Sequence, residues 1–193
     1  MRKMSSNLFI ITAPSGAGKT TLIKRALDHA NEIKEKVFLS TSHTTRPPRK
    51  GEFHGRDYFF INKEEFNQNI KKSEYIEHAI VHGNLYGTPK TPIEEKLSDG
   101  YKVLLEIDWQ GALEIMKYYP DAESIFISPP SIEELEKRLR DRGLDSEEVI
   151  SKRIDGAKAE LDQSKHFKHQ INNISLDIAT KNLLNIMFRE NHG

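Results

Sequence analysis

The sequence contains no cysteine, which excludes disulfide bonds and thiolate metal sites. It also has no excess of either charge, because Lys plus Arg and Asp plus Glu number 29 each. A general nucleic-acid-binding face is therefore not expected, and any anion must be recognised locally. The apolar run near the N-terminus has about five residues, too few for a signal peptide or a membrane span. These absences predict a cytoplasmic protein with no nucleic-acid or membrane partner.

A phosphate-binding signature follows that apolar run at residues 8–12. Small residues let successive backbone N–H groups curl around a polyphosphate, Lys19 adds positive charge near the β- and γ-phosphates, and Thr20 offers a hydroxyl to Mg²⁺. Ala13 replaces the first glycine of the P-loop pattern, at a position that needs only a small residue. The segment predicts an ATP site with Thr20 as metal ligand, formed by Ala13-Pro14-Ser15-Gly16-Ala17-Gly18-Lys19-Thr20-Thr21.

Three apolar runs, at 8–11, 103–107 and 125–127, indicate buried parallel strands. Helical patterns separate them, which predicts an α/β fold: the three-layer P-loop NTPase fold with a parallel central sheet. Asp108 follows the second run, and ligands gather at the carboxyl ends of such strands, so we expect Asp108 at the nucleotide. An acid that simply ends a strand in solvent is the alternative.

Two insertions interrupt this core. Residues 37–91 alternate like strands around a short helix that starts at Asn62, and the segment is too large for a loop, so we expect a separate lobe. Residues 129–164 predict two helices, the first capped by Ser131. Within a single domain over 1–193, the core is then assigned to residues 1–36, 92–128 and 165–193.

Arginines occur at positions suited to binding phosphate. Arg46 and Arg49 lie in an extended proline-containing segment, emerge on one side and can converge on one phosphate. Solvated charges beside a proline turn are an equal alternative. Arg138 and Arg142 share a helix face and Arg153 lies on the next helix, where arginines can neutralise a transferring phosphoryl group. A solvated basic face paired with neighbouring acids explains these three as well.

Glu77 lies in an alternating strand pattern. Its carboxylate offers two acceptors, which match the paired N1 and N2 donors of guanine, whereas adenine presents an acceptor at N1. A buried Glu77 therefore selects guanine. A strand glutamate that faces solvent is the alternative.

Several short motifs occur in a fixed order along nearly the whole chain. After the P-loop they are Ser42-His43-Thr44-Thr45-Arg46-Pro47-Pro48-Arg49, Gly51-Glu52, Gly55-Arg56-Asp57-Tyr58, Gly83-Asn84-Leu85-Tyr86-Gly87-Thr88, Ile107-Asp108-Trp109-Gln110-Gly111, Pro129-Pro130-Ser131 and Arg140-Asp141-Arg142-Gly143. In this order they resemble the guanylate kinase family, a far more specific match than the P-loop alone. The resemblance implies a P-loop core, a mixed α/β GMP-binding lobe at 37–91 and a helical lid at 129–164.

The resemblance also implies an activity and its residues. The enzyme transfers the γ-phosphate of ATP, with Mg²⁺, to GMP and to dGMP in purine nucleotide metabolism. The implied GMP-binding residues are Ser42, Arg46, Arg49, Tyr58 and Tyr86 on the phosphate and ribose side, Glu77 and Thr88 at the guanine, Gly87 beside them, and the acidic pair Glu106 and Asp108. The implied catalytic residues are Lys19, Arg46, Arg138, Arg142 and Arg153, and Asn173 is assigned to the adenine side.

Two positions depart from the family's pattern. Glu106 stands where many relatives carry Asp, and the stretch 167–174 lacks the expected tyrosines. Two other functions stay open: a non-catalytic guanylate-kinase-like module that binds proteins, and a P-loop kinase for another nucleoside monophosphate. The intact P-loop opposes the first, and Glu77 with Thr88 opposes the second. The expected partners are GMP and ATP, and the sequence does not distinguish a monomer from a homo-oligomer.

Overall fold

The computed structural model describes residues 7–81, 83–141, 143 and 146–189. Strands and helices alternate along most of this length. Their bounds in chain order are β1 (Leu8–Thr12), α1 (Lys19–Glu32), β2 (Val37–Ser40), β3 (His43–Thr44), β4 (Phe59–Phe60), α2 (Lys63–Lys71), β5 (Tyr75–Val81), β6 (Asn84–Pro89), α3 (Lys90–Ser98), β7 (Lys102–Glu106), α4 (Trp109–Tyr118), β8 (Glu123–Ser128), α5 (Ile132–Asp141), α6 (Glu147–Leu161), a 3₁₀ turn (Ser164–His166), β9 (His169–Asn172) and α7 (Leu176–Phe188).

A five-stranded parallel sheet with the order β2-β7-β1-β8-β9 forms the centre of the molecule. Its middle strand β1 is buried along its whole length. Because successive side chains of a strand point to opposite faces, Phe9 and Ile11 pack with α1 and α7, while Leu8 and Ile10 pack with α3 and α4. The predicted three-layer α/β fold is confirmed.

The first insertion forms a second, smaller sheet with the order β4-β3-β6-β5. Helix α2 packs against it through Phe66, which is fully buried, and begins where predicted: Asn62 Oδ1 accepts the N–H of Glu65 at 2.8 Å. Residues 37–40, which the predicted boundary assigns to this lobe, instead form β2 and pair with β7 in the central sheet. As an edge strand, β2 is only half-buried although three of its four residues are apolar.

The second insertion contains α5 and α6, which pack on each other through Leu135, Leu139, Ile150 and Ile154. Ser131 caps α5 as predicted, since its Oγ accepts the N–H of Glu134 at 3.1 Å. The base of this helix pair rests on the loop after β1. A Cβ added to Gly16 in that loop would lie 2.9 Å from Leu135 Cδ1. Among the residues that the structure describes, no helix is both long and apolar enough to span a bilayer.

Two glycines provide a matched stability test of this packing. At Gly16 the backbone has φ +93°, and a side chain would also collide with Leu135, so Gly16→Ala should lower the free energy of unfolding by roughly 1–3 kcal/mol. Gly156 lies inside α6, where an added Cβ meets nothing within 4 Å. Gly156→Ala should therefore raise the free energy of unfolding by about 0.5–1 kcal/mol. Urea unfolding measures both, and a Gly16→Ala variant as stable as the parent would contradict the packing.

Candidate active site

The loop after β1 has the shape expected of a P-loop. The Ala17 N–H donates to the Pro14 carbonyl at 3.0 Å, and Gly16 and Gly18 take φ values of +93° and +96°. Helix α1 begins directly after Gly18, which offers no side-chain cap to the helix. The N–H groups of the first turn are therefore left for an anion, which the helix dipole also favours.

Lys19 and Thr20 meet the end of β7. Lys19 Nζ lies 3.4 Å from the Ile107 carbonyl oxygen and 3.8 Å from Glu106 Oε1. The Thr20 hydroxyl donates to the same Glu106 oxygen at 3.3 Å. Asp108, whose place at the nucleotide stays a prediction, caps α4, where its Oδ1 accepts the N–H groups of Gln110 at 2.7 Å and Gly111 at 2.9 Å. Glu106 is thus the carboxylate in contact with the P-loop.

The Thr20 hydroxyl and the Glu106 carboxylate suit a hard divalent cation. A hydroxyl and a carboxylate are the ligand types that Mg²⁺ prefers, and Mg²⁺ commonly completes its shell with substrate phosphates and water. In the described part of the chain, no three His, Cys, Asp or Glu side chains are grouped so as to hold a metal ion. Thr20 and Glu106 therefore fit a Mg²⁺ ion whose other ligands come from substrate phosphates and water.

Arg46 is held in a fixed position rather than solvated. Its Nε donates to the Tyr86 hydroxyl at 3.1 Å, its Nη2 to Glu52 Oε1 at 2.9 Å and its Nη1 to the Pro47 carbonyl at 2.8 Å. The guanidinium also lies 5.6 Å from the ring centroid of Tyr58, and only 10% of the side chain is exposed. The solvated alternative is therefore excluded for Arg46.

Glu52 organises both arginines of the proline-containing segment. Besides its bond to Arg46, its Oε2 accepts the backbone N–H of Arg49 at 2.7 Å, while the side chain of Arg49 is exposed. Burial opposes ionisation of Glu52, but the hydrogen bonds from Arg46 and Arg49 outweigh it and lower its pKa. Sequence reasoning did not select Glu52, although it occurs in the Gly51-Glu52 motif.

Tyr58 connects this segment with the P-loop. Burial, and after it the negative charge of Glu106, raise the pKa of Tyr58 to about 12. Tyr58 thus carries its phenolic proton at neutral pH, and Glu106 lies near it as well as near Lys19. Ser42, 8% exposed, sits where the chain passes from β2 to β3, and its carbonyl accepts the Phe59 N–H at 2.9 Å. Glu106 therefore lies between the P-loop residues Lys19 and Thr20 and the segment that contains Tyr58.

Glu77 is buried, with 9% exposure, so the solvent-facing alternative is excluded. Thr88, also buried, donates its hydroxyl to Glu77 Oε1. Helix α4 approaches so closely that a Cβ on Gly111 would lie 2.6 Å from Glu77 Oε2. Burial, with the charges of Asp108 and Glu114 adding to it and Thr88 opposing it, raises the pKa of Glu77 to about 7. Gly87 lies on the neighbouring strand, where a Cβ would lie 2.9 Å from Phe66 Cζ.

The lid arginines have different surroundings. Arg138 Nε pairs with Glu134 Oε1 at 3.0 Å, as the alternative of a paired basic face predicted. Arg153 Nη1 reaches the P-loop and donates to Ser15 Oγ at 3.3 Å. Arg142 lies outside the described residues.

Glu160 is a site residue that sequence reasoning missed. It lies two helical turns after Arg153 on α6, and the charges of Lys19 and Asp108 both act on it. Burial, with Lys19 opposing and Asp108 adding to it, raises its pKa to about 7. Its seven-residue spacing from Arg153, on the same helix face, is the sequence signal that would have indicated it.

Asn173 follows β9 and is 4% exposed. Its side-chain Nδ2 donates to the Ala17 carbonyl at 2.8 Å. The residue predicted on the adenine side thus contacts the P-loop backbone.

Comparison with known proteins places this geometry in a family. The family model for guanylate kinase matches residues 5–190. The chain belongs to the guanylate kinase family. It is 48% identical over 183 residues to a guanylate kinase of Escherichia coli strain K12, covering 95% of this chain and 87% of the relative. It is 49% identical over 174 residues to a guanylate kinase of Prochlorococcus marinus strain SARG, covering 90% of this chain and 92% of the relative.

A solved structure agrees with these sequence matches. The crystal structure of guanylate kinase from Anaplasma phagocytophilum matches with a TM-score of 0.74 at 33% identity, covering 96% of this chain and 86% of that one. The predicted membership in the guanylate kinase family is confirmed. The roles of individual residues stay predictions, supported by the contacts described above.

The burial of Glu77 predicts a pH-dependent stability difference. Its pKa of about 7 lies above the ordinary value of 4.5, so its ionisation costs stability as pH rises through this interval. Glu77→Gln stays neutral and can still accept the Thr88 hydrogen bond. We expect the variant to be more stable than the parent by about 1–3 kcal/mol at pH 8 and no more stable at pH 4. Urea unfolding at both pH values tests this, with the exposed Glu74→Gln as control; a difference that does not change with pH would contradict it.

Proposed function

We propose that the protein is an ATP:GMP phosphotransferase, which transfers the γ-phosphate of ATP to GMP, and also to dGMP, and forms ADP and GDP. The observation that carries the proposal is Glu106, whose carboxylate meets Lys19 and Thr20 of the P-loop and whose charge acts on Tyr58 beside Arg46. One residue thereby connects a triphosphate site with a second, arginine-based anion site. Two phosphate sites next to each other are what transfer between two nucleotides requires.

On the donor side, the backbone N–H groups of residues 13–18 would surround the phosphates, and Lys19 would turn from Glu106 towards them. Mg²⁺ would be held by Thr20 together with donor phosphate oxygens, and when bound it supplies positive charge against the charge of the transferred group. Arg153 already touches the P-loop through Ser15, so a short movement of its side chain brings its charge to the phosphates. Glu106 and Asp108 would keep the protein side chains on the donor side in place.

On the acceptor side, Arg46 is oriented before the ligand arrives, because its three hydrogen bonds fix the guanidinium plane. The exposed Arg49 can move towards the phosphate of GMP. Tyr58 and Tyr86 offer hydroxyl donors, and the high pKa of Tyr58 keeps its proton available at neutral pH. Ser42 completes this proposed phosphate and ribose side.

Guanine recognition is assigned to Glu77 and Thr88. The ionised carboxylate accepts from N1 and N2 of guanine, while adenine would place an acceptor against it, so the expected discrimination is about 10⁴-fold. The hydroxyl of Thr88 donates to Glu77 and keeps one carboxylate oxygen in place. The burial of both residues strengthens this discrimination, because water cannot hydrogen-bond to unmatched polar groups in a buried site.

The chemistry needs no strong general base, because the attacking phosphate oxygen of GMP already carries negative charge. The protein's task is to align donor and acceptor and to neutralise charge, for which we assign Lys19, Arg46, Arg138 and Arg153, with Arg142 as a further sequence prediction. Arg138 would exchange Glu134 for phosphate oxygens when the lid closes. The retained P-loop lysine supports an enzyme rather than a protein-binding module.

A substrate panel tests the activity. Coupled ADP-release assays with ATP should give turnover with GMP and dGMP and little with AMP, UMP or CMP. Lys19→Ala should lower kcat by about 10²-fold or more, because a charge next to the transferred group is lost. Lys24→Ala, on an exposed position of α1, serves as the matched control and should retain the parent rate. Equal turnover with AMP and GMP, or a Lys19→Ala variant as fast as the parent, would refute the assignment.

The raised pKa of Glu77 also predicts how GMP use depends on pH. Only the carboxylate form can accept both guanine donors, and this form is lost as pH falls below about 7. We expect kcat/KM for GMP to fall about tenfold for each pH unit below that value. The phosphate of GMP titrates in the same range, so Glu77→Gln provides the correction: its activity should be low and follow only the phosphate. Parallel pH profiles for parent and variant would count against Glu77 as the guanine reader.

A further inference from the structure

Asn173 is fixed at both its backbone and its side chain. Its N–H donates at 2.8 Å to the carbonyl of Ser128, the last residue of β8, and its side-chain Nδ2 donates at 2.8 Å to the Ala17 carbonyl. A carbonyl oxygen can only accept, so the group that faces Ala17 has to be the NH₂ and not the amide oxygen. A buried side chain anchored on the central sheet therefore holds one peptide group of the P-loop.

The P-loop is shaped to receive this amide. A Cβ added to Gly18 would lie only 2.3 Å from Asn173 Nδ2, a distance that no real contact shows. Gly18 also takes φ +96°, a conformation that side chains disfavour. Position 18 therefore needs glycine for two reasons, and one of them is the room that Asn173 occupies.

The hydrogen bond to the Ala17 carbonyl also affects the Gly18 N–H, which lies on the other side of the same peptide group. The Ala17 carbonyl and the Gly18 N–H belong to one planar trans peptide unit, so they point in opposite directions. A donor that holds the carbonyl on one side directs the N–H to the other. P-loop N–H groups are the ones that bind phosphate oxygens. By holding the Ala17 carbonyl, Asn173 thus orients the Gly18 N–H, which is one of the P-loop N–H groups expected to bind phosphate.

We propose that Asn173 is a positioning residue for the triphosphate site, which acts through the Ala17–Gly18 peptide, and not the adenine contact that the family resemblance implied. The proposal rests on the proposed function only in taking Mg-ATP as the ligand of the P-loop. It requires that Asn173 favour any polyphosphate, whatever base the polyphosphate carries.

A comparison of Mg-ATP with Mg-tripolyphosphate separates a positioning role of Asn173 from a contact with the base. Calorimetric titrations would measure Kd for Mg-ATP, for Mg-tripolyphosphate, which has no base, and for GMP, with the parent protein, Asn173→Ala and the matched control Asn172→Ala. Asn172 precedes Asn173 and is exposed. If Asn173→Ala does not fold, Asn173→Leu, which has a similar shape and no donor, takes its place.

We expect Asn173→Ala to raise Kd for ATP and for tripolyphosphate by the same factor, about tenfold, because a buried carbonyl loses its donor and the loop loses its shape. GMP binding and the Asn172→Ala variant should match the parent. Weaker binding of ATP alone would overturn the proposal in favour of an adenine contact. Unchanged binding of both ligands, an equal loss of GMP binding, or a parent protein that does not bind tripolyphosphate would overturn it as well. None of these three titrations includes phosphoryl transfer, so a missing kinase activity and a failure here are separate results.

Discussion

The register between β1 and β7 determines where the chemistry of this protein is located. Parallel pairing sets Leu8 opposite Val103 and Ile11 opposite Glu106, so the two strands end together. The P-loop leaves one strand at the level where Glu106 leaves the other, and Lys19 and Thr20 then find the carboxylate within a few ångströms. A shift by one residue would turn Glu106 to the opposite face of the sheet. Burial of β1 along its whole length and of residues 103–105 of β7 holds this register.

Several charged side chains around Glu106 are wholly or partly buried. Arg46 and Glu52 neutralise each other, which lowers the pKa of Glu52, whereas Glu77 and Glu160 have no cation bonded to them among the contacts of the described residues and have raised pKa values. The contrast suits the roles proposed for these residues. A pair that stays together orients an arginine, while a carboxylate without a cation can pair with donors that a ligand brings. The second arrangement costs stability in the free protein.

Most of the local structure was predictable from the sequence because its causes are local. The P-loop, the apolar strands and the caps Asn62 and Ser131 each depend on a few neighbouring residues. The place of the edge strand β2 in the core was not predictable, because it depends on pairing with β7, which is distant in the sequence. The contact of Glu106 with Lys19, and the charges of Lys19 and Asp108 that act on Glu160, depend on distant segments, so only the folded chain reveals them. The assignment of Asn173 to the adenine side stays a prediction, and its bond to Ala17, which joins distant segments, required the structure.

The hydrogen bond between Asn173 and Ala17 joins residues 156 positions apart. A ribosome therefore releases the P-loop sequence well before the side chain that holds it. Until then the central sheet also lacks β9, the strand that carries Asn173 to its place. The P-loop and the amide that holds its Ala17 carbonyl thus come together only when β9 has joined the central sheet.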